Sequence, residues 1–213
     1  MLTVYGEGRG FRVVWLLEEL RLPYCLRPVD MGSPGKDAEF AVINPAGFIP
    51  ALQDGDTTLV ESIAILQYLL ARHGPSPLAM ARDEPGFAPY LQFLLMGEAG
   101  LGVPINTVFR GRNLAPEAER DAQVTNWAMK TFTSRLGLVV CQLERTPHLA
   151  GGRFTAADIS VAYALLVGLR TKNYLPGPVD REYLVRVTKR PAYLRAMEQC
   201  TATKAWADRS PAL

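Results

Sequence analysis

Several features that mark other protein classes are scarce in this 213-residue chain. Its three cysteines, Cys25, Cys141 and Cys200, lie far apart, so no pair has the spacing of a metal site or a redox motif. A sparse, odd-numbered set of thiols is typical of a reducing compartment. We therefore expect a cytoplasmic protein without a metal, in which each cysteine is a small buried hydrophobic residue.

Long apolar runs and an excess of one charge are also missing. No stretch approaches the ~20 apolar residues of a membrane span, and the N-terminus has no basic segment followed by an apolar core, so we expect neither a membrane span nor a secretory signal. The net charge is only +2, with Lys and Arg scattered, which argues against a nucleic-acid partner. What is present is 48% hydrophobic and 21% charged residues, the composition of an ordinary globular protein.

The first third of the sequence alternates strand and helix patterns. In residues 13–20 the apolar side chains recur at i, i+3, i+4 and i+7, which predicts a helix with Arg12 off its apolar face. An Asp-Gly-Asp turn at residues 54–56 predicts a β-hairpin. A second amphipathic helix spans about residues 62–72 and stops near a His-Gly-Pro signal. These patterns predict a small mixed sheet covered by helices.

The rest of the sequence reads as helical after a break. Residues 76–86 contain prolines and show no periodicity, which predicts a linker between a domain at 1–75 and a domain at 87–213. Glycines and Pro104 are expected to interrupt the first long helix of the second domain. A long helix is predicted to start near residue 114, and the last to run over about 191–206.

Two further details of the second domain can be predicted. Residues 154–159 have the pattern of a capped helix start, in which Thr155 caps the helix and Asp158 reaches back. The two histidines, His73 and His148, are expected at the surface, each next to a helix end or a glycine pair.

The most specific motif lies at residues 44–62. Pro50 immediately precedes a short strand, and only an X-Pro bond adopts the cis form at low cost. A cis bond there would turn the amide and carbonyl of Ile49 outward, free to pair with an extended ligand. Glu61 and Ser62 then open a helix, whose N-terminal amides and dipole suit a carboxylate. Together these devices predict a site for a small anionic peptide, although Glu61 and Ser62 alone could be an ordinary helix cap.

These motifs, in this order and spacing, resemble the cytosolic glutathione S-transferase family of bacterial type. The resemblance covers nearly the whole chain. It implies an α/β N-terminal thioredoxin-like domain followed by an all-α C-terminal helical domain. The matching segments are residues 1–6, 12–20, 22–24, 44–52, 60–65 and 154–160.

The resemblance also implies an activity. We expect a homodimeric enzyme of detoxification that takes glutathione as co-substrate and conjugates its thiolate to a small hydrophobic electrophile. Related enzymes of this fold use glutathione for ether cleavage, dehalogenation or isomerisation, and the sequence does not separate these reactions. A glutathione-binding or protein-interaction module without turnover is the alternative from another class.

For glutathione binding, the resemblance assigns roles to particular positions. The backbone of Ile49 would pair with the cysteinyl unit, with Pro50 shaping the turn. Glu61 and Ser62 would hold the γ-glutamyl ammonium and carboxylate. Phe48 stands where the family often has a lysine, so a partner of the glycyl carboxylate is missing, and Lys36 is a weak substitute.

The residue that activates the thiol is less clear. The glycine loop, residues 6–11, is shorter than the equivalent loop of many bacterial relatives and contains no Ser or Cys. The candidates are Tyr5, through its hydroxyl, and Arg9, a permanent cation between glycines, with Arg12 also in reach. Tyr5 could instead be packing and Arg9 a solvated loop residue. Backbone amides and the helix dipole alone could then suffice.

The helical domain is expected to contribute the hydrophobic substrate site. The break around Pro104 would shape an apolar pocket there, and a tyrosine hydroxyl could face it. A helix–helix joint packed on the core is the alternative. The residues predicted to contact the hydrophobic substrate are Met96, Leu101, Ile105 and Tyr174.

Overall fold

The computed structural model describes residues 1–30, 32–211 and 213, and its contacts divide the chain into two compact units. The first unit comprises Met1–Ser76 with Lys189–Trp206, and the second Pro77–Thr188 with Ala207–Leu213. The domain limits predicted from the sequence stay a prediction. The contacts differ from them in one respect, because residues 189–206 pack with the first unit.

The first unit is built on one four-stranded sheet in the order β2-β1-β3-β4. Strands β1 and β2 are parallel, whereas β3 is antiparallel to both β1 and β4. This arrangement confirms the thioredoxin-like α/β domain and the predicted hairpin. The elements are β1 (Leu2–Tyr5), α1 (Gly10–Leu20), β2 (Tyr24–Arg27), α2 (Ala38–Ile43), β3 (Ala51–Asp54), β4 (Thr57–Val60) and α3 (Ser62–Arg72).

The helices of the second unit and the C-terminal segment confirm the all-α continuation. Two π-helical segments, Gly97–Gly102 and Arg110–Leu114, lie among these helices. The elements are α4 (Phe87–Met96), α5 (Val103–Phe109), α6 (Ala122–Leu143), α7 (Ala156–Arg170), α8 (Pro178–Thr188), α9 (Pro191–Gln199) and α10 (Thr201–Ala207). In the part of the chain that the structure describes, no helix is long and apolar enough to cross a membrane.

Helix α1 is buried over residues 10–17, and Arg12 is fully buried with them. The expectation that Arg12 lies off the buried face was therefore wrong. The reason is that Arg12 faces α3, where its Nη1 donates to Ser62 Oγ at 3.2 Å, while α9 covers the neighbouring part of α1. The ring centroid of Tyr193 on α9 lies 4.9 Å from that of Trp15 and 5.5 Å from that of Phe11.

The predicted interruption around Pro104 is a change of helix type instead. The chain widens into the π-helical segment Gly97–Gly102, and Pro104 falls at the start of α5, where a proline is tolerated. A Cβ on Gly97 would lie 2.2 Å from Ser160 Oγ on α7. The Ser160 hydroxyl donates to the Leu94 carbonyl at 2.8 Å. Gly97 is thus needed for the close approach of α7.

The long helix α6 begins later than predicted. Glu117–Glu119 forms a separate 3₁₀ turn, and α6 starts at Ala122. The carboxylate of Asp121 accepts a hydrogen bond from the Val124 amide at 3.0 Å, so Asp121 is the N-cap.

The capped start of α7 is confirmed, with the reciprocal bonds of Thr155 and Asp158 in place. His148 packs against this capped helix start and is half-buried, so its prediction as a surface residue was wrong. Its Nδ1 lies 3.5 Å from Asp158 Oδ1, and its ring meets the Phe154 ring edge-on at 5.8 Å. His73 is exposed, as predicted.

The cysteines also depart from expectation. Cys25 and Cys141 are exposed, and only Cys200 is buried. Burial, together with the charges of Glu7 and Glu18, raises the pKa of the Cys200 thiol. This thiol therefore stays protonated and is a small hydrophobic residue, as the sequence suggested.

Candidate functional site

The predicted ligand segments meet at one end of the sheet. Strand pairing places Tyr5 opposite Ala51, and Ala51 opposite Val60. The glycine loop follows Tyr5, Pro50 precedes Ala51, and Glu61 follows Val60, so all three segments leave the strands at the same end. The order of strands in the sheet thus brings together motifs that are more than 50 residues apart.

The segment before β3 has the backbone geometry expected from the sequence. The Ile49–Pro50 bond is cis, which confirms the prediction. Sequence reasoning did not assign a role to Asn44, which is buried and organises this turn. Its Nδ2 donates to the Phe48 carbonyl at 2.6 Å, and its Oδ1 accepts from the Ala46 amide at 3.1 Å. The signal for this role is the Asn-Pro-Ala-Gly sequence, because asparagine side chains bond to the backbone of their own turn.

The glycine loop lies directly against this segment. Gly6 has a φ of +80°, and a Cβ placed on it would lie 2.5 Å from Ile49 Cγ2. A Cβ on Gly10 would lie 3.3 Å from the Cβ of Pro50. Only glycine at position 6 allows both this backbone conformation and this approach. Arg9 in this loop is half-buried and immediately precedes α1.

The third segment is the N-terminus of α3. Ser62 is 2% exposed, and its Oγ accepts a hydrogen bond from Arg12 Nη1 at 3.2 Å. Glu61 is exposed and has a φ of 69°. The first amides of α3, the helix dipole and the buried Arg12 charge all favour an anion there. Arg12 was considered only for the sulfur; its contact with Ser62 joins residues 50 positions apart and has no local sequence signal.

Tyr5 lies in a packed cluster. It is 6% exposed and packs in a cluster with Val29, Phe40 and Ala51. Its hydroxyl donates to Gln53 Oε1 at 3.0 Å. The geometry therefore favours the packing alternative for Tyr5 over a role in activating a thiol. Phe48 is 38% exposed, and Lys36 is exposed as well.

The four residues predicted for the hydrophobic substrate differ in their burial. Leu101 and Ile105 are fully buried, as the helix-joint alternative expects, and Met96 is half-buried. Tyr174 is 7% exposed and its hydroxyl donates to Asp180. Burial and this bond raise the pKa of Tyr174, so the phenol stays protonated.

Tyr174 does line a cavity of about 560 Å³ in the second unit, but Met96, Leu101 and Ile105 do not. The lining of this cavity is mainly apolar, with some polar groups. The main lining residues are Met129, Phe132, Leu136, Val140, Asn173, Tyr174, Leu175 and Asp180. Within the described residues, no His, Cys, Asp and Glu side chains are grouped so as to hold a metal ion.

Comparison with known proteins agrees with this architecture. Residues 10–72 match the family described as "Glutathione S-transferase, N-terminal domain". The chain is 30% identical over 209 residues to Glutathione S-transferase GstB of Escherichia coli strain K12, covering 90% of this chain and 95% of GstB. It is 32% identical over 163 residues to Disulfide-bond oxidoreductase YfcG of the same strain, covering 71% of this chain and 72% of YfcG.

A solved structure extends the agreement to three dimensions. The theta class glutathione S-transferase of Xanthomonas axonopodis pv. citri, with glutathione bound, is 28% identical and superimposes with a TM-score of 0.78. The match covers 92% of this chain and 96% of that one. The family match, the near full-length relative and the shared fold confirm the resemblance drawn from the motifs, and the chain therefore belongs to the glutathione S-transferase family.

Proposed function

We propose that this protein is a glutathione transferase that binds glutathione in its first unit and transfers the thiolate to an electrophilic carbon of a small hydrophobic compound. The observation that carries the proposal is the convergence of the glycine loop, the cis Ile49–Pro50 bond and the α3 N-terminus at one end of the sheet. From the family we expect a cytoplasmic homodimer with a role in detoxification.

The γ-glutamyl end of glutathione would bind at α3. The Ser62 hydroxyl accepts a hydrogen bond from Arg12, so its own proton is free to be donated to a carboxylate. The exposed Glu61 would accept from the ammonium group. Ile49 would pair through its backbone with the cysteinyl unit, beside Pro50 and the exposed Phe48.

The thiol would lie against the glycine loop and the N-terminus of α1. The amides of this loop, the helix dipole and the Arg9 guanidinium favour the thiolate over the thiol. Lowering the pKa of the thiol by one unit requires that the site stabilise the thiolate over the thiol by ~1.4 kcal/mol. The thiolate then forms a C–S bond with the electrophilic carbon, and the leaving group departs with its electron pair or, in an addition, the carbon framework takes up a proton.

The hydrophobic substrate would contact the second unit. Of the residues predicted to line this site, Met96 is half-buried and would contact the substrate directly. Leu101 and Ile105 are fully buried and would support the site from the core. Tyr174 would act on the substrate only through its cavity, because its hydroxyl is bonded to Asp180.

A second candidate is glutathione-dependent reduction of disulfides. It is favoured by the similarity to a protein named a disulfide-bond oxidoreductase. The two reactions share glutathione binding and differ in the electrophile, which is carbon in one and sulfur in the other. Retention on immobilised glutathione, followed by parallel assays with an aryl halide and with a small disulfide, separates them. Retention without turnover of either substrate would indicate a binding module.

Ser62→Ala is expected to weaken glutathione binding about tenfold or more, because a hydrogen bond to a charged group contributes ~1.5–3 kcal/mol. Thr58→Ala, on an exposed position of β4 in the same unit, is the control and should bind as wild type. Calorimetric titration measures both. Equal affinity of Ser62→Ala and wild type would remove Ser62 from the site.

Arg9→Ala is expected to raise the pKa of bound glutathione by about one unit, because a cation beside a thiol favours the thiolate. The thiolate absorbance in the ultraviolet, followed through a pH titration of the complex, gives this value directly. An unchanged titration curve would leave the backbone amides and the helix dipole as the activating groups.

A further inference from the structure

The glycine loop contains a carboxylate, Glu7, that the proposed reaction does not use. Glu7 is 6% exposed, and its oxygens are bonded to the start of α10. Oε2 accepts from the Thr203 amide at 2.7 Å and from the Thr203 hydroxyl at 2.8 Å, and Oε1 accepts from the Ala202 amide at 3.2 Å. Thr203 is itself 4% exposed. A negative side chain therefore stands in the loop proposed to stabilise a thiolate, and its charge is directed to these donors.

The main chain of Glu7 fixes the same loop a second time. Its carbonyl accepts from the Gly10 amide at 2.9 Å, and the Gly8 carbonyl accepts from the Phe11 amide at 3.0 Å. Gly8 has a φ of +57°, so this part of the loop has few intrinsic restraints. Gly8 and Arg9 consequently lie between Glu7, which is fixed by its side chain, and Gly10, whose amide is bonded to the Glu7 carbonyl.

The partner segment is firmly docked in the first unit. Arg190 forms a bidentate pair with Glu19 at 2.6 and 2.8 Å, and Arg195 binds Glu18 at 2.7 Å. The ring of Tyr193, on α9, packs against α1. Because α9 leads directly into α10, these contacts hold the amides of residues 202 and 203 in place for Glu7.

We infer that Glu7 is a positioning residue, which holds the glycine loop through Thr203 so that the amides of residues 8 and 9 and the Arg9 side chain face the sulfur of glutathione. This inference rests on the proposed function. It explains how a loop without Ser or Cys can present donors to a sulfur: the loop is held from its far side by the C-terminal segment. Fixed amides cost no reorganisation when the thiolate forms.

Two readouts test the inference in the full-length protein. Hydrogen exchange of the glycine loop, measured without glutathione, reports how firmly the loop is held, and the thiolate titration of the glutathione complex reports the consequence. Glu7→Ala is expected to speed exchange at residues 8–10 about tenfold and to raise the pKa of bound glutathione by about one unit. Thr203→Val, which keeps the amide and loses the hydroxyl, should change both in the same direction by less. Thr203→Ser, which keeps both donors, should leave the loop exchange and the pKa of bound glutathione at their wild-type values.

Tyr68→Phe is the matched control. It removes the hydrogen bond that the Tyr68 hydroxyl donates to Asp54 Oδ2 at 2.9 Å in the same unit and is expected to lower the unfolding temperature, while loop exchange and thiol pKa stay at wild-type values. Equal shifts in Tyr68→Phe and Glu7→Ala, or no shift in Glu7→Ala and Thr203→Val, would overturn the role of Glu7. A wild-type protein that binds no glutathione would instead overturn the proposed function, and the exchange comparison would then decide the role of Glu7 in holding the loop.

Discussion

Asp158→Ala is expected to lower the free energy of unfolding by about 3–5 kcal/mol, because it leaves several buried donors without an acceptor. Asp158 has no exposed surface. Its carboxylate accepts from the Thr155 amide at 2.8 Å, the Leu149 amide at 3.1 Å and the Tyr183 hydroxyl at 3.2 Å. The residue thus joins the start of α7 to the preceding turn and to α8.

Asp121→Ala is the control for this prediction. Asp121 is also the acceptor at a helix start, but it is exposed and accepts from the Val124 amide alone among the bonds of its side chain in the described residues. Its loss should therefore cost only about 1 kcal/mol. Urea unfolding of both variants gives the comparison. Similar midpoints for the two variants would show that Asp158 acts as a simple helix cap.

Gly6→Ala is expected to weaken glutathione binding by about tenfold or more, which corresponds to ~1.4 kcal/mol per factor of ten. The new Cβ would lie 2.5 Å from Ile49 Cγ2 and 2.8 Å from Ile49 Cβ. Ile49 must therefore shift, and its backbone is the proposed partner of the cysteinyl unit. Calorimetric titration with glutathione measures the loss.

Gly55→Ala separates this displacement from backbone strain. Gly55 also has a positive φ, +59°, but a Cβ there would meet no atom of the described residues within 4 Å. We expect it to lose about 1 kcal/mol of stability from the left-handed conformation and to bind glutathione as wild type. If Gly6→Ala also binds as wild type, Ile49 does not contact the ligand.

The features that sequence reasoning predicted correctly are those encoded by neighbouring residues. The hairpin at residues 54–56, the cis bond before Pro50 and the reciprocal cap of Thr155 and Asp158 each depend on a few positions in a row. For such features, the local choice of residue restricts the backbone strongly. The family, and with it the fold, followed from the order of these motifs along the chain.

Packing between distant segments decided the rest. Arg12 was placed on the polar side of α1 because periodicity describes one buried face, whereas α3 at Ser62 and the distant helix α9 at Tyr193 cover further parts of this helix. Tyr5 had two open roles, and the position of α2 favours packing against Phe40. His148 was assigned to the surface because nothing near it in sequence indicates its contact with Asp158.

The candidate site shows the same division. Its backbone devices could be recognised from residues 44–62, since a cis-proline turn and a helix start are local structures. The support for these devices comes from Arg12 at Ser62 and from Thr203 at Glu7. Such pairs form only when the chain has folded, because the hydrogen bonds depend on distances that no sequence interval specifies.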